Sequence, residues 1–318
     1  MKLLAKTHYG LEQVLAEELK GLGASGIAVL NRAVAFEGSK LLLYTVNYCS
    51  RLALSVLMPV SSFAISGQKD LYNGAVAIEW DRYLDPGKTI AVTAVVNSPH
   101  FPHSGYAALL VKDAIADFFR RLTLRRPSVD AKDPDLLVNV HISNNRVTIS
   151  IDSTVVPLYR RGYRRRMSEA PLSEVLAAGL IALSGWKPGT PLTDGMCGSG
   201  TIVTEAGLIS CNIAPGRMRK NFGFMRWKDY DAALFRSVRF DAEKRERKSP
   251  AAIFGSDISA EACAIARANV RAAGLEDTVE ITERDFFASP PPARSGTLII
   301  NPPYGRRLGT PDMDEFYG

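Results

Sequence analysis

The sequence is poor in the residues that build metal, disulfide and membrane sites. Its four cysteines have no CxxC spacing, which indicates reduced cytosolic thiols; they are Cys49, Cys197, Cys211 and Cys263. Its four histidines lie at no metal-ligand spacing with acids or cysteines. No apolar run approaches the roughly 18 residues of a membrane span, and the N-terminus lacks the apolar core of a signal peptide. We therefore expect a cytoplasmic protein with no metal and no membrane contact.

The glycine-rich stretch from Pro191 to Thr201 also lacks two features of nucleotide-binding loops. It has no phosphate-loop lysine, and it lacks the full GxGxxG of a dinucleotide fold. The pattern predicts a short strand, a turn and a helix over 202–208. Gly198 and Gly200 would let a ligand approach the backbone closely at this turn. Asp194, just before them, suits a ligand with a positive amine, and S-adenosylmethionine is such a ligand.

The positive charge of the chain is concentrated in its first half. The first 167 residues contain 21 lysines and arginines against 14 acids, whereas the rest contains 18 against 19. A chain of 318 residues with 46% hydrophobic content is long enough for two or three globular units. The basic excess favours a polyanionic partner for the first half, although a solvated surface explains charge alone equally well.

Mixed strands and helices in the first half predict a small α+β module. The spacing of apolar residues predicts helices over 9–22, 40–49, 71–83 and 107–122. Strand patterns lie between them, over 27–36, 51–63, 89–96, 136–142 and 146–152. Because strands and helices do not alternate strictly, this half does not predict a parallel sheet.

An arginine-rich run follows at residues 160–166, directly before the second half. Guanidinium groups suit phosphate contact, and a tyrosine offers a face for base stacking. We predict RNA contacts for the members of this run, with a solvated linker as the alternative; they are Arg160, Arg161, Tyr163, Arg164, Arg165 and Arg166. An amphipathic helix is predicted next, over 171–183.

Polar side chains follow the later strands of the second half as well. Asp257 ends a strand over 252–257, where an acid suits a ribose diol. Asp285 follows a third strand over 279–281, where it could accept from an adenine amine while Phe286 packs against the ring. Helices separate these strands, including one over 260–273. The ordered series predicts a doubly wound parallel sheet.

The run Leu298-Ile-Ile-Asn-Pro-Pro-Tyr-Gly305 supplies the catalytic candidates. Residues 298–300 have the pattern of a strand buried on both faces, and the prolines end it. If the Asn301 side chain and the Pro302 carbonyl each accept an N–H, the exocyclic amine of a base becomes a better nucleophile, and Tyr304 could stack on that base. A proline-rich turn without function is the alternative.

The first half resembles a ferredoxin-like segment followed by a THUMP domain, an RNA-binding module. The residues that carry this resemblance are Trp80, Tyr83, Thr89–Thr93, Val111–Asp117 and Asp133–His141. The second half resembles class I S-adenosylmethionine-dependent methyltransferases of the amino-methylating type, through Asp194–Thr201, Asp257, Asn301–Gly305, and Arg161-Gly-Tyr-Arg164 with Ala170-Pro-Leu172. The whole chain is similar to bacterial THUMP-containing methyltransferases that modify guanine N2 in large-subunit ribosomal RNA.

The resemblance implies an α+β RNA-binding region followed by an α/β Rossmann-like methyltransferase domain. The expected domains are 1–60 (ferredoxin-like), 61–156 (THUMP), 157–170 (arginine-rich linker) and 171–318 (methyltransferase). S-adenosylmethionine is the implied cofactor, bound by Asp194, Cys197, Gly198, Gly200, Thr201, Asp257, Asp285 and Phe286. Structured RNA, ribosomal RNA in particular, is the implied partner. Methylation of guanine N2 in transfer RNA, methylation of adenine N6, and an RNA-binding assembly role with an inactive catalytic half remain alternatives.

Two departures from that family carry expectations of their own. Gly195 stands where the family commonly has proline after the first acid, which predicts a looser turn. The sequence stops at Gly318, soon after the fourth strand, so we expect the C-terminal strands of the catalytic domain to be missing. The basic and aromatic stretch over 209–250 is longer than a βαβ unit needs. It is interpreted either as an insertion that touches RNA or as a charged surface over a small aromatic core.

Overall fold

In the computed structural model, which describes residues 1–164 and 172–302, the chain forms two compact units. Unit 1 contains Met1–Arg160 together with Pro215–Ala242. Unit 2 contains Arg161–Ala214 and the described part of Glu243–Gly318. The segment Pro215–Ala242 lies in the second half of the sequence, yet it folds with the first half. No helix in the described ranges is long and apolar enough to span a membrane.

Unit 1 is an α+β structure. Its first part runs β1 (Lys2–Lys6), α1 (Glu12–Gly21), β2 (Ser25–Leu30), β3 (Ala33–Glu37), α2 (Lys40–Cys49) and β4 (Ser55–Ala64). Its second part runs α3 (Gln68–Val76), a 3-10 turn (Trp80–Arg82), β5 (Thr89–Asn97), α4 (Ser104–Thr123), β6 (Ser128–Val129), β7 (Leu136–Ser143) and β8 (Arg146–Asp152). The predicted α+β class is confirmed.

One eight-stranded sheet runs through unit 1 in the order β2-β3-β1-β4-β8-β7-β5-β6. β4 joins its two parts, because it pairs with β1 on one side and with β8 on the other. β4 also crosses the predicted boundary between residues 60 and 61, so the two predicted domains share a continuous sheet. Most neighbours are antiparallel, and β5 is parallel to both β6 and β7.

The single strand predicted over 27–36 is two strands. β2 and β3 form an antiparallel hairpin in which Leu30 faces Ala33, so the chain reverses at Asn31 and Arg32. Arg32 adopts a φ of 56°, in the left-handed region that a tight reversal requires. The prediction was wrong because neither turn residue is the glycine that usually marks such a hairpin.

Unit 2 contains α5 (Glu174–Leu183), β9 (Leu192–Asp194) and α6 (Thr201–Ser210). After α7 (Ala232–Glu243), which begins in the segment assigned to unit 1, unit 2 continues with β10 (Ile253–Asp257), α8 (Ala260–Ala272), β11 (Val279–Glu283) and β12 (Thr297–Leu298). The four strands are parallel and ordered β11-β10-β9-β12. Strand order therefore reverses between β9 and β12, which is the switch point where open α/β sheets bind ligands.

The strand before Asn301 is shorter and more exposed than predicted. β12 covers only Thr297–Leu298, and Leu298 is 53% exposed rather than buried on both faces. Among the described residues β12 pairs only with β9, so its other edge has no neighbouring strand there. Within the described residues the strand is therefore shorter than predicted, and Ile299 and Ile300 are half-buried rather than fully buried.

The segment Pro215–Ala242 packs its aromatic side chains into unit 1. Tyr44 of α2 stacks on Phe224 at 4.3 Å between ring centroids. Phe224 also contacts Phe222 at 5.3 Å and Phe235 at 5.0 Å. Such aromatic pairs contribute about 0.5–1.5 kcal/mol each beyond the area they bury. The interpretation of 209–250 as a surface over a small aromatic core is therefore confirmed for these residues.

Three basic residues of this segment bind groups of unit 1. Arg219 donates to the carbonyl oxygens of Val156 at 2.8 Å, and of Pro157 and Arg160 at 2.9 Å. Arg226 pairs with Asp133 at 2.7 Å, and Lys228 pairs with Asp85 at 3.2 Å. Arg219 and Arg226 thus bind backbone carbonyls and a carboxylate of unit 1, whereas Lys228 and Asp85 are both about half exposed, so RNA contact by this stretch stays a prediction.

Candidate active site

A glycine turn between β9 and α6 is the centre of the candidate site. Gly198 and Gly200 have φ angles of 52° and 76°, in the region that favours glycine. A Cβ built on Gly198 would meet nothing within 4 Å, so open space lies against the backbone there. The turn is tied to β10, because Cys197 N–H donates to the Ser256 carbonyl at 2.8 Å. The backbone is therefore open to a ligand at Gly198, whereas a Cβ on Gly200 would come within 3.0 Å of Ala266 Cβ in α8.

Asp194 ends β9 and is 1% exposed. Burial raises the pKa of this carboxyl to about 7, even though its Oδ1 accepts from Met196 N–H at 3.2 Å. Desolvation dominates because a carboxylate loses hydration inside the protein, and the nearby Asp257 charge raises the pKa further. A buried acid of this kind is stabilised in its charged form by a cationic group.

Asp257 stands at the carboxyl end of β10, beside the glycine turn. Its Oδ2 accepts from Gly198 N–H at 2.9 Å, and its Oδ1 accepts from Ser259 N–H at 3.0 Å. Each carboxylate oxygen can accept a further hydrogen bond, and the side chain is half-buried. The carboxylate is thus oriented at the turn and is able to accept from two hydroxyl groups.

Ile258 is a candidate site residue that the sequence analysis did not single out. It is 72% exposed directly after Asp257, at the same edge of the sheet. An apolar side chain exposed at this edge would be available to pack against a ligand bound at the glycine turn. Its position immediately after the strand-ending acid was the signal available in the sequence.

Asp285 and Phe286 follow β11 in the next loop. Asp285 is exposed, and its Oδ1 accepts from Phe287 N–H at 2.9 Å. Phe286 lies against Gly195, where an added Cβ would come within 2.1 Å of the ring. Gly195 therefore makes room for Phe286, which accounts for this departure from the family better than the expected looser turn does.

Cys197 and Thr201 flank the turn. Burial raises the pKa of the Cys197 thiol well above its usual range, so the thiol stays neutral. Thr201 begins α6, is 4% exposed, and accepts at Oγ1 from an Arg164 guanidinium N–H at 3.0 Å. Cys197 contributes its backbone N–H and its volume to the turn rather than a thiolate.

Asn301 and Pro302 follow β12 on the other side of β9. Ile299 N–H donates to the Thr193 carbonyl at 2.9 Å, which holds the end of β12 beside the end of β9. Asn301 comes two residues later, at the sheet edge that also carries Asp194. Both Asn301 and Pro302 are half-buried. The third catalytic candidate, Tyr304, lies outside the described residues.

A cavity of about 340 Å³ opens in unit 2 near Phe286. Its other lining residues are Thr193, Ser256, Arg284, Leu298 and the loop over 289–297. None of the three predicted acids lines it. The polar groups and open backbone at the glycine turn, rather than this cavity, therefore define the candidate site.

The structure corrects the prediction for the arginine-rich run. Arg161 and Tyr163 are each 1% exposed and both are engaged by the buried carboxylate of Glu205, so neither is available for a phosphate or a base. Arg161 pairs with Glu205 at 3.6 Å, and the Tyr163 hydroxyl donates to the same carboxylate at 3.1 Å. The RNA-contact prediction is wrong for these two residues, because burial beside an acid decides their role.

The other members of the run differ among themselves. Arg164 is engaged inside unit 2, where it pairs with Glu174 at 3.3 Å. Arg160 is exposed, so its RNA contact stays a prediction. Arg165 and Arg166 lie outside the described residues.

Sequence models of three protein families match successive parts of the chain. The RlmL ferredoxin-like domain matches residues 2–57, the THUMP domain matches 68–152, and the RMKL-like methyltransferase domain matches 161–317. The Synechocystis sp. protein named "Putative RNA methyltransferase slr0064" is 41% identical over 310 residues, which cover 97% of this chain and 81% of that protein.

Two solved structures are similar over nearly the whole chain. SMU.472, titled "a putative methyltransferase complexed with SAH", has a TM-score of 0.87 at 31% identity, covering 99% of this chain and 83% of SMU.472. A Listeria monocytogenes protein titled "a predicted N6-adenine-specific DNA methylase" has a TM-score of 0.89 at 29% identity, covering 99% and 82%. The predicted Rossmann-like methyltransferase fold is confirmed, and the chain belongs to the methyltransferases that join a ferredoxin-like and a THUMP domain to an RMKL-like methyltransferase domain.

Proposed function

We propose that the protein transfers a methyl group from S-adenosylmethionine to the exocyclic N2 amine of a guanine in 23S ribosomal RNA. The observation that carries this proposal is the position of Asn301 and Pro302. They follow the strand next to β9, whose own end carries Asp194 and the glycine turn. An amine-positioning pair and a cofactor turn thus share the switch point of one parallel sheet.

The residues present fit S-adenosylmethionine. The open backbone at Gly198 accommodates close approach, and the buried Asp194 suits the positive amino-acid end of this cofactor. Asp257 is oriented to accept from a ribose diol, while Asp285 and Phe286 would hold the adenine. When bound, the cofactor supplies an electrophilic methyl group on a sulfonium. SMU.472, whose structure contains SAH, supports this assignment.

Asn301 and Pro302 would act on the target amine. The Asn301 side-chain oxygen and the Pro302 carbonyl oxygen each accept one amine N–H, which orients the nitrogen lone pair toward the methyl group. The nitrogen would form a bond to the methyl carbon as the sulfonium–methyl bond breaks and leaves the neutral thioether, and the methylated amine would then release one proton to solvent. These contacts are positioning and electrostatic stabilisation, because no covalent intermediate with the protein is needed. We also assign Tyr304 to stack on the base.

The proposal of an RNA substrate rests on unit 1 and on the relatives. THUMP is an RNA-binding module, and the Synechocystis relative is named as an RNA methyltransferase. Reaching a base requires its extrusion from the stack into the site. Guanine N2 and 23S RNA follow from the family resemblance. The Listeria neighbour's title keeps adenine N6 in DNA as the second candidate.

Parallel methyl-transfer assays test the proposal. The protein is incubated with labelled S-adenosylmethionine and, separately, with ribosomal RNA, transfer RNA and DNA. We expect label in ribosomal RNA, with little in the other two. Transfer to DNA alone would show that DNA, and not ribosomal RNA, is the substrate. Tight RNA binding without transfer to any of the three would favour an assembly role.

The raised pKa of Asp194 predicts pH-dependent cofactor affinity. With a pKa of about 7, the carboxyl is mostly protonated at pH 6 and mostly charged at pH 8. Only the charged form pairs with the ligand amine, so the affinity for S-adenosylhomocysteine should rise roughly tenfold over that interval. Isothermal titration at several pH values measures it. Asp194→Asn should bind weakly with no such rise, and a wild-type affinity that is flat with pH would contradict this role.

A further inference from the structure

The segment Arg161-Gly-Tyr-Arg164, called the strap below, lies near the start of α6. Its two arginines form ion pairs with buried acids, and Arg164 also donates hydrogen bonds. Arg161 and Tyr163 both contact Glu205, which is 0% exposed on the second turn of that helix. The strap therefore packs against the helix that begins at the glycine turn. Buried charges need such pairing, because desolvating a charge without a partner is costly.

Arg164 uses its guanidinium for three interactions. Its Nη2 donates to Thr201 Oγ1 at 3.0 Å and to the Leu172 carbonyl at 2.9 Å. Its Nε pairs with Glu174 Oε1 at 3.3 Å, and the Glu174 side chain is 5% exposed. Because Thr201 is the first residue of α6, Arg164 ties the beginning of this helix to the beginning of α5.

Two further side chains hold the backbone of the glycine turn by hydrogen bonds. The Asn269 side chain of α8 donates to the Ser199 carbonyl at 3.0 Å, and Gly198 N–H donates to Asp257. Arg164 holds the remaining end, where the turn becomes helix. Its partner Thr201 directly follows Gly200, which has a left-handed φ of 76°. A rigid tie at this place limits how far the turn can move.

We infer that Arg164 is a positioning residue, which acts through Thr201 to hold the glycine turn in the conformation that binds cofactor. This inference rests on the proposed S-adenosylmethionine site. It replaces the RNA contact predicted for Arg164, because the fork of its guanidinium is used inside unit 2. A residue that acts in this way affects cofactor affinity and leaves RNA affinity unchanged.

The test is calorimetric titration of the full chain with S-adenosylhomocysteine. Arg164→Lys keeps a charge beside Glu174 but cannot reproduce the fork, and Thr201→Val removes the acceptor oxygen at similar volume. Each change should raise Kd about tenfold, the loss expected for one hydrogen bond to a charged group. The double variant should be no weaker than Arg164→Lys alone, because Arg164→Lys has already removed the contact that Thr201→Val removes.

Conservative variants and a second arginine serve as controls. Thr201→Ser keeps the hydroxyl and should restore most of the affinity. Arg271→Lys changes another arginine of unit 2, one that is 78% exposed in its pair with Glu276, and should leave Kd as it was. Additive losses in the double variant, a Thr201→Ser as weak as Thr201→Val, or an unchanged Kd in Arg164→Lys would each overturn the inference.

The same titration separates this inference from the proposed function. If the wild-type chain binds no S-adenosylhomocysteine, the proposed cofactor site fails, and the inference falls with it. If the wild-type chain binds and Arg164→Lys binds equally well, only the positioning role fails. RNA affinity and its salt dependence, measured on the same variants, should stay at wild-type values, whereas a flatter salt dependence in Arg164→Lys would point to phosphate contact instead.

Discussion

Replacing Asn301 with alanine is expected to lower kcat by roughly 10²–10³-fold, the cost of removing one preorganised polar group from a transition state. The variant loses the amide oxygen that accepts from the target amine but keeps β12 paired with β9. Affinities for S-adenosylhomocysteine and for RNA should therefore stay close to those of the wild type. Single-turnover transfer of labelled methyl, with both reactants saturating, measures the chemical step directly.

Asn73→Ala is the matched control for this prediction. Asn73 is an exposed asparagine of α3 in unit 1, far in sequence from the candidate site, and its replacement should leave the single-turnover rate unchanged. An Asn301→Ala variant that transfers methyl at the wild-type rate would remove Asn301 from the mechanism. The same conclusion would follow if its rate fell only in proportion to a lost cofactor affinity.

Replacing Arg161 with methionine should destabilise unit 2 by about 3–5 kcal/mol, because it leaves the buried Glu205 carboxylate without its cationic partner. Both side chains are at most 1% exposed. This loss should appear as a lower urea midpoint for unfolding. RNA affinity of the folded variant should not change, in contrast to what a phosphate-binding arginine would show.

Two further variants make the test specific. Arg160→Met alters the neighbouring exposed arginine and should change the free energy of unfolding by no more than about 0.5 kcal/mol. Arg161→Met with Glu205→Gln removes both charges while a neutral amide still accepts from Tyr163, so it should recover much of the lost stability. Equal stability of Arg161→Met and wild type would show that the buried pair has little structural importance.

Local patterns in the sequence were sufficient where neighbouring residues determine structure. The predicted helix over 40–49 and strand over 146–152 match α2 and β8 residue for residue. Strand-ending acids and glycines also predicted the parallel sheet, since the turns after parallel strands meet at one edge. The structure brings Asp194, Gly198 and Asp257 together there.

Long-range pairing was not accessible from the sequence. Tyr163 meets Glu205 across 42 positions, and nothing in the arginine-rich run distinguishes a buried arginine from a solvated one. Likewise, Tyr44 meets Phe224 although the two lie in different halves of the chain. A charge run and a basic aromatic stretch therefore suggested an RNA surface, whereas burial shows that several of these side chains stabilise the protein itself.

Nucleoside analysis of methyl-labelled RNA tests the central claim most directly. Large-subunit ribosomal RNA lacking its natural methylation is incubated with the protein and labelled S-adenosylmethionine, then digested to nucleosides and separated. The account predicts that the label elutes as N2-methylguanosine and that Asn301→Ala strongly reduces this product. Label in a methylated adenine, or no label in RNA that the protein binds tightly, would contradict it.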